Sequence, residues 1–454
     1  MKLFAEHILL ADGWQQQQVL TIEHGLITHI EAGNANQADV SKDYVIPGMV
    51  NCHSHAFQRA FAGFSEQGSN GQDSFWTWRQ VMYQFLDKLS ASDAELIATQ
   101  LYIEMVKMGY TRVAEFHYLH HQIDGSNYQP LNTMANAIFE AAQTAGIGLT
   151  LLPVLYRFAG FGEQAPNIGQ RRFINSVEQF NQLVSDCFSS AQQYTNCNVG
   201  IAPHSLRAVD KPSLLAAVAH VRSLDNQAPI HIHIAEQQQE VNDCIGHYGQ
   251  RPVQWLINNV QLDQHWCLIH ATHITEQECS DLASSGAIAG ICPTTEANLG
   301  DGVFPTAMFL QQQGVLAIGS DSHISVNPVE ELRWLEYAQR LTKQQRAVLA
   351  NQQQMSVGLN LWQRAAMGGA QATSSNTGVL AVGKQADLLV LDAEQCQLYA
   401  HQPKHLLDSM LFASRANWVQ DVMINGQWVV EQGQHAQQTI AANEFRALLK
   451  RITS

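Results

Sequence analysis

The chain has 454 residues, of which 46% are hydrophobic and only 14% charged, so we expect a compact protein with one large and one smaller domain rather than extensive disorder. Its formal net charge of −15 opposes nonspecific binding to nucleic acid or anionic membranes, which leaves a small molecule as the expected partner. No run approaches a membrane span of about 18 apolar residues, and an acidic residue comes too early for a secretory signal, so we expect a cytoplasmic protein.

The two ends of the chain share a pattern of short strands. In residues 1–46, apolar and polar positions alternate in short pieces separated by turn residues, which is typical of hairpins. The same pattern returns in residues 386–392 and 419–430. Neither end has enough strands to bury a sheet face alone. We therefore predict a small β-sandwich domain formed by residues 1–46 together with residues 376–454.

Between the two ends, apolar runs of strand length alternate with longer helical segments. The apolar runs are 147–154, 199–203, 230–234, 266–269, 287–292 and 315–319. The helical candidates include 93–108, 131–145, 211–221 and 328–341. Strands and helices that alternate over this length predict a (β/α)8 TIM barrel in residues 47–375. A doubly wound open sheet is the alternative, but polar residues at many strand ends favour a closed barrel, in which all strand ends converge.

Several apolar runs end in residues that bind metal ions. His53 and His55 follow the run 45–52, and in an extended chain residues i and i+2 face the same side. His233 ends a second run as part of another HxH pair, and Asp321 follows a third. A single HxH pair is a weak signal. Three such endings in one chain indicate that the side chains share one site.

Imidazoles combined with a carboxylate suit Zn²⁺ or a neighbouring divalent transition metal. Such an ion lowers the pKa of a water molecule toward neutrality and so favours hydrolytic chemistry. Glu236 lies three residues beyond His233 and could move a proton from that water to a leaving group, although taken alone it is better explained as a solvated acid. The cysteines form no CxxC pair, so neither disulfides nor a thiolate zinc cluster is indicated.

The sequence resembles the amidohydrolase superfamily over nearly its whole length. The stretches that carry the resemblance are 47–55, 231–236, 269–273, 319–323 and 378–392. The metal ligands that it implies are His53, His55, His233 and Asp321. The catalytic residues that it implies are Glu236, His270 and Asp321, whereas His231 would be a nonligand histidine of its strand.

The expected number of metal ions depends on a missing lysine. Two-metal members of this superfamily often bridge their ions with a carboxylated lysine on a middle strand, but no lysine occurs between Lys107 and Lys211. We therefore expect one divalent ion, with Zn²⁺ as the first choice and Fe²⁺ as the alternative. One-metal members are mostly deaminases, in which water attacks a carbon that is doubly bonded to nitrogen and ammonia leaves.

Further stretches at 75–83, 115–120 and 202–209 resemble the formimidoylglutamate deiminase family of bacterial histidine degradation. The resemblance implies hydrolysis of N-formimino-L-glutamate to N-formyl-L-glutamate and ammonia. This substrate has two carboxylates and an amidine-like cation. The residues expected near the strand ends are compatible with it, and the candidate substrate-binding residues are Gln58, Arg79, Tyr118, His204 and Arg207.

The candidate binding residues have different expected roles. Arg79, Tyr118 and Arg207 could bind the carboxylates, and Gln58 could hydrogen-bond the formimino nitrogen. His204 could contact either end of the substrate. Without the resemblance, Arg79 would be better explained as a helix-surface charge and Tyr118 as an aromatic residue of the barrel wall.

Two other functions remain as alternatives. A one-metal deaminase acting on a purine, pterin or triazine ring would share the metal ligands and could stack its substrate on Trp76 or Trp78. A catalytically inert scaffold protein would usually have lost ligands.

The glycine-bearing segments 63–71 and 160–169 are candidate lids. Because large barrels of this kind often dimerise, we also expect a homodimer.

Overall fold

A computed structural model of the protein describes residues 1–64, 66, 75–400 and 402–453, without the side chains of residues 75–78, 80 and 81. The strands are β1 (Lys2–Leu10), β2 (Gly13–Glu23), β3 (Leu26–Ala32), β4 (Val40–Pro47), β5 (Met49–Ser54), β6 (Tyr110–His117), β7 (Gly148–Leu155), β8 (Cys197–Val199), β9 (Ala202–Pro203), β10 (Ile230–Ile234), β11 (Trp266–His270), β12 (Ile288–Ile291), β13 (Val315–Ile318), β14 (Leu388–Leu391), β15 (Val419–Ile424), β16 (Gln427–Glu431) and β17 (Gln434–His435). The helices are α1 (Phe75–Leu86), α2 (Ala91–Lys107), α3 (Thr133–Ala145), α4 (Val177–Ala191), α5 (Lys211–Leu224), α6 (Gln238–Tyr248), α7 (Pro252–Asn259), α8 (Glu276–Ser285), α9 (Pro293–Leu299), α10 (Thr306–Gln311), α11 (Pro328–Lys343), α12 (Val357–Ala372), α13 (Ala393–Tyr399), α14 (Leu406–Phe412) and α15 (Gln438–Thr453).

The central sheet is parallel, with the strand order β10-β11-β12-β13-β5-β6-β7-β8 and with β9 paired to β7. Helices lie between most of its strands in sequence, as the predicted βα alternation requires. All residues of β10 are buried, because a parallel sheet has both faces covered. Ile201 forms a parallel bridge with Ile230, and the N–H of His231 donates to the Ile201 carbonyl at 3.0 Å. These bonds link the region between β8 and β9 to β10.

The predicted elements of this region are present with small shifts at their ends. The helical candidates correspond to α2, α3, α5 and α11. The apolar runs correspond to strands, except that the predicted strand 199–203 is interrupted, because β8 ends at Val199 and β9 begins at Ala202. Among the described residues, no helix is both long enough and apolar enough to cross a membrane.

A second, mixed sheet contains strands from both ends of the chain, as predicted. Its order is β17-β16-β15-β14-β4-β1-β2-β3. The two ends meet where β14 pairs antiparallel with β4, with Leu388 opposite Pro47. The sheet has its own apolar core, to which Leu3, Leu20 and Met423 belong. After one further residue, Gly48, the chain passes from β4 into β5 of the parallel sheet.

The C-terminal region also contains helices that the strand pattern did not indicate. These are α13, α14 and α15. Helix α15 lies against α2, where Arg451 forms an ion pair with Asp93 and Lys88 donates to the Ile452 carbonyl at 2.5 Å. The chain segment after residue 375 therefore contacts the helices around the parallel sheet as well as completing the mixed sheet.

Candidate active site

Five side chains meet where strands of the parallel sheet end. His53 is in β5 and His55 directly follows it, His233 is in β10, His270 ends β11, and Asp321 lies shortly after β13. The Nε2 atoms of His53 and His233 are 3.0 Å apart. Oδ1 of Asp321 lies 3.5 Å from Nε2 of both His53 and His55. The sequence-predicted ligand set is therefore brought together, and all of its members are buried.

The protonation of these histidines fits a divalent cation. Burial lowers the pKa of His53 to about 3 and lowers the pKa of His55 and His233 as well, so all three imidazoles are neutral at pH 7. Nδ1 of His55 lies 2.9 Å from the Phe116 carbonyl and must donate to it, which leaves the Nε2 lone pair for a metal ion. Nε2 of His53 and Nε2 of His233 are 3.0 Å apart and so reach the same small space, where one cation could bind both. The donor set therefore fits a metal ion.

The charged groups at the site have shifted pKa values. Burial alone would raise the pKa of Asp321, but the neighbouring histidines, His53 above all, lower it below its ordinary value. Burial would lower the pKa of His270, yet Glu236 and a hydrogen bond to Glu296 raise it to about 10. Burial raises the pKa of Glu236. The site thus combines a histidine and a buried carboxyl group whose pKa values are both raised, a pair of groups suited to holding and moving a proton.

The backbone turns sharply at these strand ends. Positive φ angles, unusual for residues other than glycine, occur at Ala235 (51°), His270 (68°), Ala271 (47°), Asp321 (47°) and His323 (61°). Strained conformations of this kind cluster at functional sites, where the surrounding structure maintains them. Here they turn the residues that follow each strand into one common space.

One cavity of about 510 Å³ lies above the candidate metal ligands. Its lining includes every predicted substrate-binding residue, namely Gln58, Arg79, Tyr118, His204 and Arg207. It also includes His55, His233, Glu236, His270 and Asp321. Three of the four predicted ligands, the predicted catalytic residues and the predicted binding residues therefore line the same cavity.

Gln58 and Tyr118 form a fixed pair in this cavity. The Gln58 amide nitrogen donates to the Tyr118 hydroxyl at 3.0 Å, and both side chains are almost fully buried. The Gln58 Oε1 atom is buried without a hydrogen-bond partner among the described residues. An unsatisfied carbonyl oxygen at a cavity wall is suited to a ligand N–H group.

The two arginines differ in how they are held. Nη2 of Arg79 donates to the Tyr156 hydroxyl at 2.6 Å, and its guanidinium lies 5.5 Å from the centre of the Tyr83 ring. Arg207 follows β9 by a few residues, and its Nη1 atom is buried with no partner in the described part of the chain. His204 directly follows β9, and its Nδ1 atom lies 2.9 Å from the Ser205 hydroxyl.

Other sequence features have structural explanations outside this cavity. Nε2 of His231 donates to the Ala372 carbonyl at 2.7 Å, as expected for a nonligand strand histidine. His120 and His121 donate to the carbonyls of Val154 and Ile174. The side chains of Trp76 and Trp78 lie outside the described residues, as does most of the candidate lid 63–71.

The sequence arguments missed several residues of the site. Glu296 of α9 lies 3.2 Å from His270 Nδ1 and also accepts from the Cys292 N–H at 2.8 Å. Glu115 of β6 accepts from Ser54, which lies between two candidate ligands in sequence. Tyr156 follows β7 and lines the cavity. All three lie at or near strand ends, the position that also marked the residues found from the sequence.

Known proteins resemble the chain over its whole length. A family model described as the amidohydrolase family matches residues 44–429. Formimidoylglutamate deiminase of Pseudomonas aeruginosa is 48% identical and aligns over 98% of both chains. 5-Methylthioadenosine/S-adenosylhomocysteine deaminase of Shouchella clausii is 26% identical, over 89% of this chain and 85% of the relative. The crystal structure of an amidohydrolase from Brucella melitensis has 43% identity and a TM-score of 0.95, with 100% of both chains covered. Together with the site geometry, these matches show that the chain belongs to the amidohydrolase family.

Proposed function

We propose that this protein hydrolyses N-formimino-L-glutamate to N-formyl-L-glutamate and ammonia. The observation that carries the proposal is the presence of Arg79 and Arg207 in the same cavity as the metal donor set, in a chain of net charge −15. Two local cations in an otherwise acidic protein suit a substrate with two carboxylates. The 48% identity to a formimidoylglutamate deiminase over nearly the whole chain supports the same substrate.

One divalent ion, Zn²⁺ first and Fe²⁺ as the alternative, would be held by His53, His55, His233 and Asp321. The neutral imidazoles and the ionised Asp321 support this ligand set. When bound, such an ion lowers the pKa of a water molecule and polarises the substrate carbon–nitrogen bond. The protein's own residues would supply the remaining chemistry.

The formimino end of the substrate would lie between Gln58 and the carboxylates. Gln58 offers its unsatisfied Oε1 atom to a substrate N–H, and the Tyr118 hydroxyl fixes the amide in that orientation. Glu236 and Asp321 add negative charge next to the amidine-like cation. These contacts bring the reactive carbon to the same part of the cavity as the metal donor set.

Proton transfer would be performed by Glu236 and assisted by His270. Because burial raises the pKa of Glu236, its carboxylate can take a proton from the attacking water and give it to the departing nitrogen. Nε2 of His270 lies 3.9 Å from Glu236 Oε1 and 3.7 Å from Asp321 Oδ2. The protonated imidazole there would stabilise negative charge on the attacking oxygen. Water thus replaces the doubly bonded nitrogen by oxygen, and NH₃ leaves.

The substrate carboxylates would bind to Arg79 with Tyr118, and to Arg207. The buried, unpartnered Nη1 atom of Arg207 is the strongest support, because a buried cationic donor without a partner is costly unless a ligand anion satisfies it. His204 lines the same cavity and would contact the substrate as well. Aromatic residues that also line it, among them Tyr83 and Phe173, are the features that would suit a ring substrate instead.

The proposal is tested by ammonia release from N-formimino-L-glutamate, guanine, adenosine and cytosine, with metal content measured on the same sample. We expect about one transition-metal ion per chain and ammonia from N-formimino-L-glutamate alone. Equal or faster release from any of the rings would overturn the substrate assignment and favour the ring-deaminase alternative. No release from any substrate by metal-loaded protein would favour an inert scaffold.

We further propose that the parallel strands close into a (β/α)8 barrel in residues 47–375. The bridge between Ile201 and Ile230 supports closure, because these residues connect the two ends of the strand order. The pairing of β4 with β14, from opposite ends of the chain, supports the small domain of residues 1–46 and 376–454. The homodimer and the cytoplasmic location stay predictions of the sequence.

A further inference from the structure

The hydroxyl of Tyr156 accepts two hydrogen bonds at the wall of the cavity. Nη2 of Arg79 donates to it at 2.6 Å, and Nε2 of Gln170 donates to it at 2.8 Å. Tyr156 and Gln170 are both 1% exposed. Tyr156 lines the cavity, and its ring lies 4.5 Å from that of His204. A buried phenol therefore connects a candidate substrate-binding arginine to a residue with no role assigned so far.

The orientation of the Gln170 amide is fixed by its own turn. The N–H of Asn167 donates to Gln170 Oε1 at 2.9 Å, so the amide nitrogen is the atom that faces Tyr156. Gly169 brings this turn close to Tyr83, because a Cβ atom at that position would lie only 2.9 Å from ring atoms of Tyr83. The turn thus packs directly on the cavity wall.

These two bonds determine the direction of the remaining Tyr156 proton. A guanidinium nitrogen and an amide nitrogen can only donate, so the phenolic oxygen uses both of its lone pairs as acceptors. Its own O–H proton is left, and no acceptor for that proton occurs among the described residues. A donor of this kind at a cavity wall is suited to an acceptor atom of a ligand.

We propose that Tyr156 is a further substrate-binding residue, whose hydroxyl donates to the same substrate carboxylate that Arg79 binds. Gln170 is then a positioning residue that acts through Tyr156. This inference rests on the proposed function, since it takes the substrate to be a carboxylate-bearing imine. Two adjacent donors favour a carboxylate over the corresponding carboxamide, because the amide NH₂ would face donors and find no acceptor.

The main test is the variant Tyr156→Phe, which removes the hydroxyl and keeps the ring. Kinetics are measured with N-formimino-L-glutamate and with two analogues that lack either the α- or the γ-carboxylate. We expect kcat/KM for the full substrate to fall by about 10- to 100-fold, mainly through KM. The same loss is expected for the one analogue that retains the carboxylate at Arg79. The other analogue should change by less than about threefold.

The role of Gln170 is tested by Gln170→Met and by the double variant with Tyr156→Phe. Gln170→Met should raise KM for the substrates that carry the carboxylate bound by Arg79, but by a smaller factor than Tyr156→Phe does. Because Gln170 acts through the Tyr156 hydroxyl, the double variant should be no worse than Tyr156→Phe alone. Additive losses would overturn the positioning role. Tyr194→Phe is the matched control, since the Tyr194 hydroxyl donates to Glu140 near the protein surface.

The outcomes separate this inference from the proposed function. If the unmodified protein hydrolyses N-formimino-L-glutamate but Tyr156→Phe has unchanged KM, or loses activity equally with both analogues, the inference fails and the proposed function stands. If the unmodified protein releases no ammonia from this substrate, both fail. Metal content and thermal unfolding of each variant distinguish a binding effect from misfolding.

Discussion

Nδ1 of His270 lies 3.2 Å from a carboxylate oxygen of Glu296, on the ring atom opposite the one that faces Glu236 and Asp321. Glu296 is 4% exposed, and the same oxygen accepts from the Cys292 N–H, so its position is fixed by its own helix. The carboxylate therefore orients the imidazole and keeps a proton on Nδ1, while Nε2 faces the reaction site.

We predict that Glu296→Gln lowers kcat by about 10- to 100-fold while the metal is retained. The amide preserves an acceptor but removes the negative charge that helps to raise the pKa of His270 to about 10. The His270 pKa must then fall, so the basic limb of the kcat/KM profile should move to lower pH. An unchanged pH profile in Glu296→Gln and in Glu296→Ala would contradict the role of this pair.

The two histidines of β10 provide a matched test of the metal site. His233→Asn should reduce bound metal from about one ion per chain to nearly none, because His233 Nε2 belongs to the converging donor set. His231→Asn removes a hydrogen bond to the Ala372 carbonyl instead and should keep the metal. Metal analysis of both purified variants is the measurement. Equal loss from both would show that the strand, not the ligand, had been disturbed.

We predict that removing the metal with a chelator lowers the midpoint of thermal unfolding as well as activity. A ligand that binds only the folded state at 100 times its Kd stabilises that state by about 2.7 kcal/mol. Activity and midpoint should both return on addition of one equivalent of Zn²⁺ or Fe²⁺. A midpoint that does not respond to chelation, in protein shown to have lost its metal, would argue against these buried ligands.

Arg207→Met should reduce kcat/KM for N-formimino-L-glutamate by more than about tenfold, or roughly 1.4 kcal/mol. Methionine keeps much of the apolar volume and removes the cation that would bind a carboxylate. Arg222→Met is the control, since Arg222 forms a partly exposed ion pair with Asp263 on the outside of the fold. A smaller decrease for Arg207→Met, or an equal decrease in the control, would end the carboxylate-binding assignment.

Stability should depend on pH through Glu115. Burial raises its pKa to about 7, above the value of an unfolded glutamate, so the folded state holds this proton more tightly. Its stabilising contribution is fully present below about pH 4 and is lost as the pH rises to about 7. The side chain introduced by Glu115→Gln cannot titrate. The unfolding free energy of this variant, measured with denaturant, should therefore rise relative to that of the unmodified protein as the pH increases from about 5 to about 8. A difference in unfolding free energy that is constant across this range would contradict the prediction.

The sequence located the candidate ligands because each lies at or shortly after the end of an apolar strand. His53, His233 and Asp321 could be placed in one site once the strands were taken to be parallel and adjacent. Arg207 was found for the same reason. Glu296 follows β12 by only a few residues but lies inside α9, and no strand-end pattern in the sequence marked it.

Other features depend on contacts distant in sequence and could not be predicted in this way. Gln170 lies in a short turn between β7 and α4, and its importance depends on where that turn packs. The alternation of short strands indicated the mixed sheet but gave no sign of α15, whose position is fixed by contacts with α2. Loop paths and helix docking are set by tertiary packing, which local patterns do not encode.

The pairing of Leu388 with Pro47 makes the catalytic region depend on the C-terminal part of the chain. Pro47 is separated from the ligand-bearing strand β5 by Gly48 alone, so the far end of the polypeptide supports the backbone that enters the metal centre. A shortened protein that stops before β14 would leave β4 as an unprotected strand edge, prone to pairing with other copies. Expression of a chain that stops before β14 should therefore give aggregates, whereas co-expression with the missing C-terminal piece should restore a soluble, metal-loaded complex.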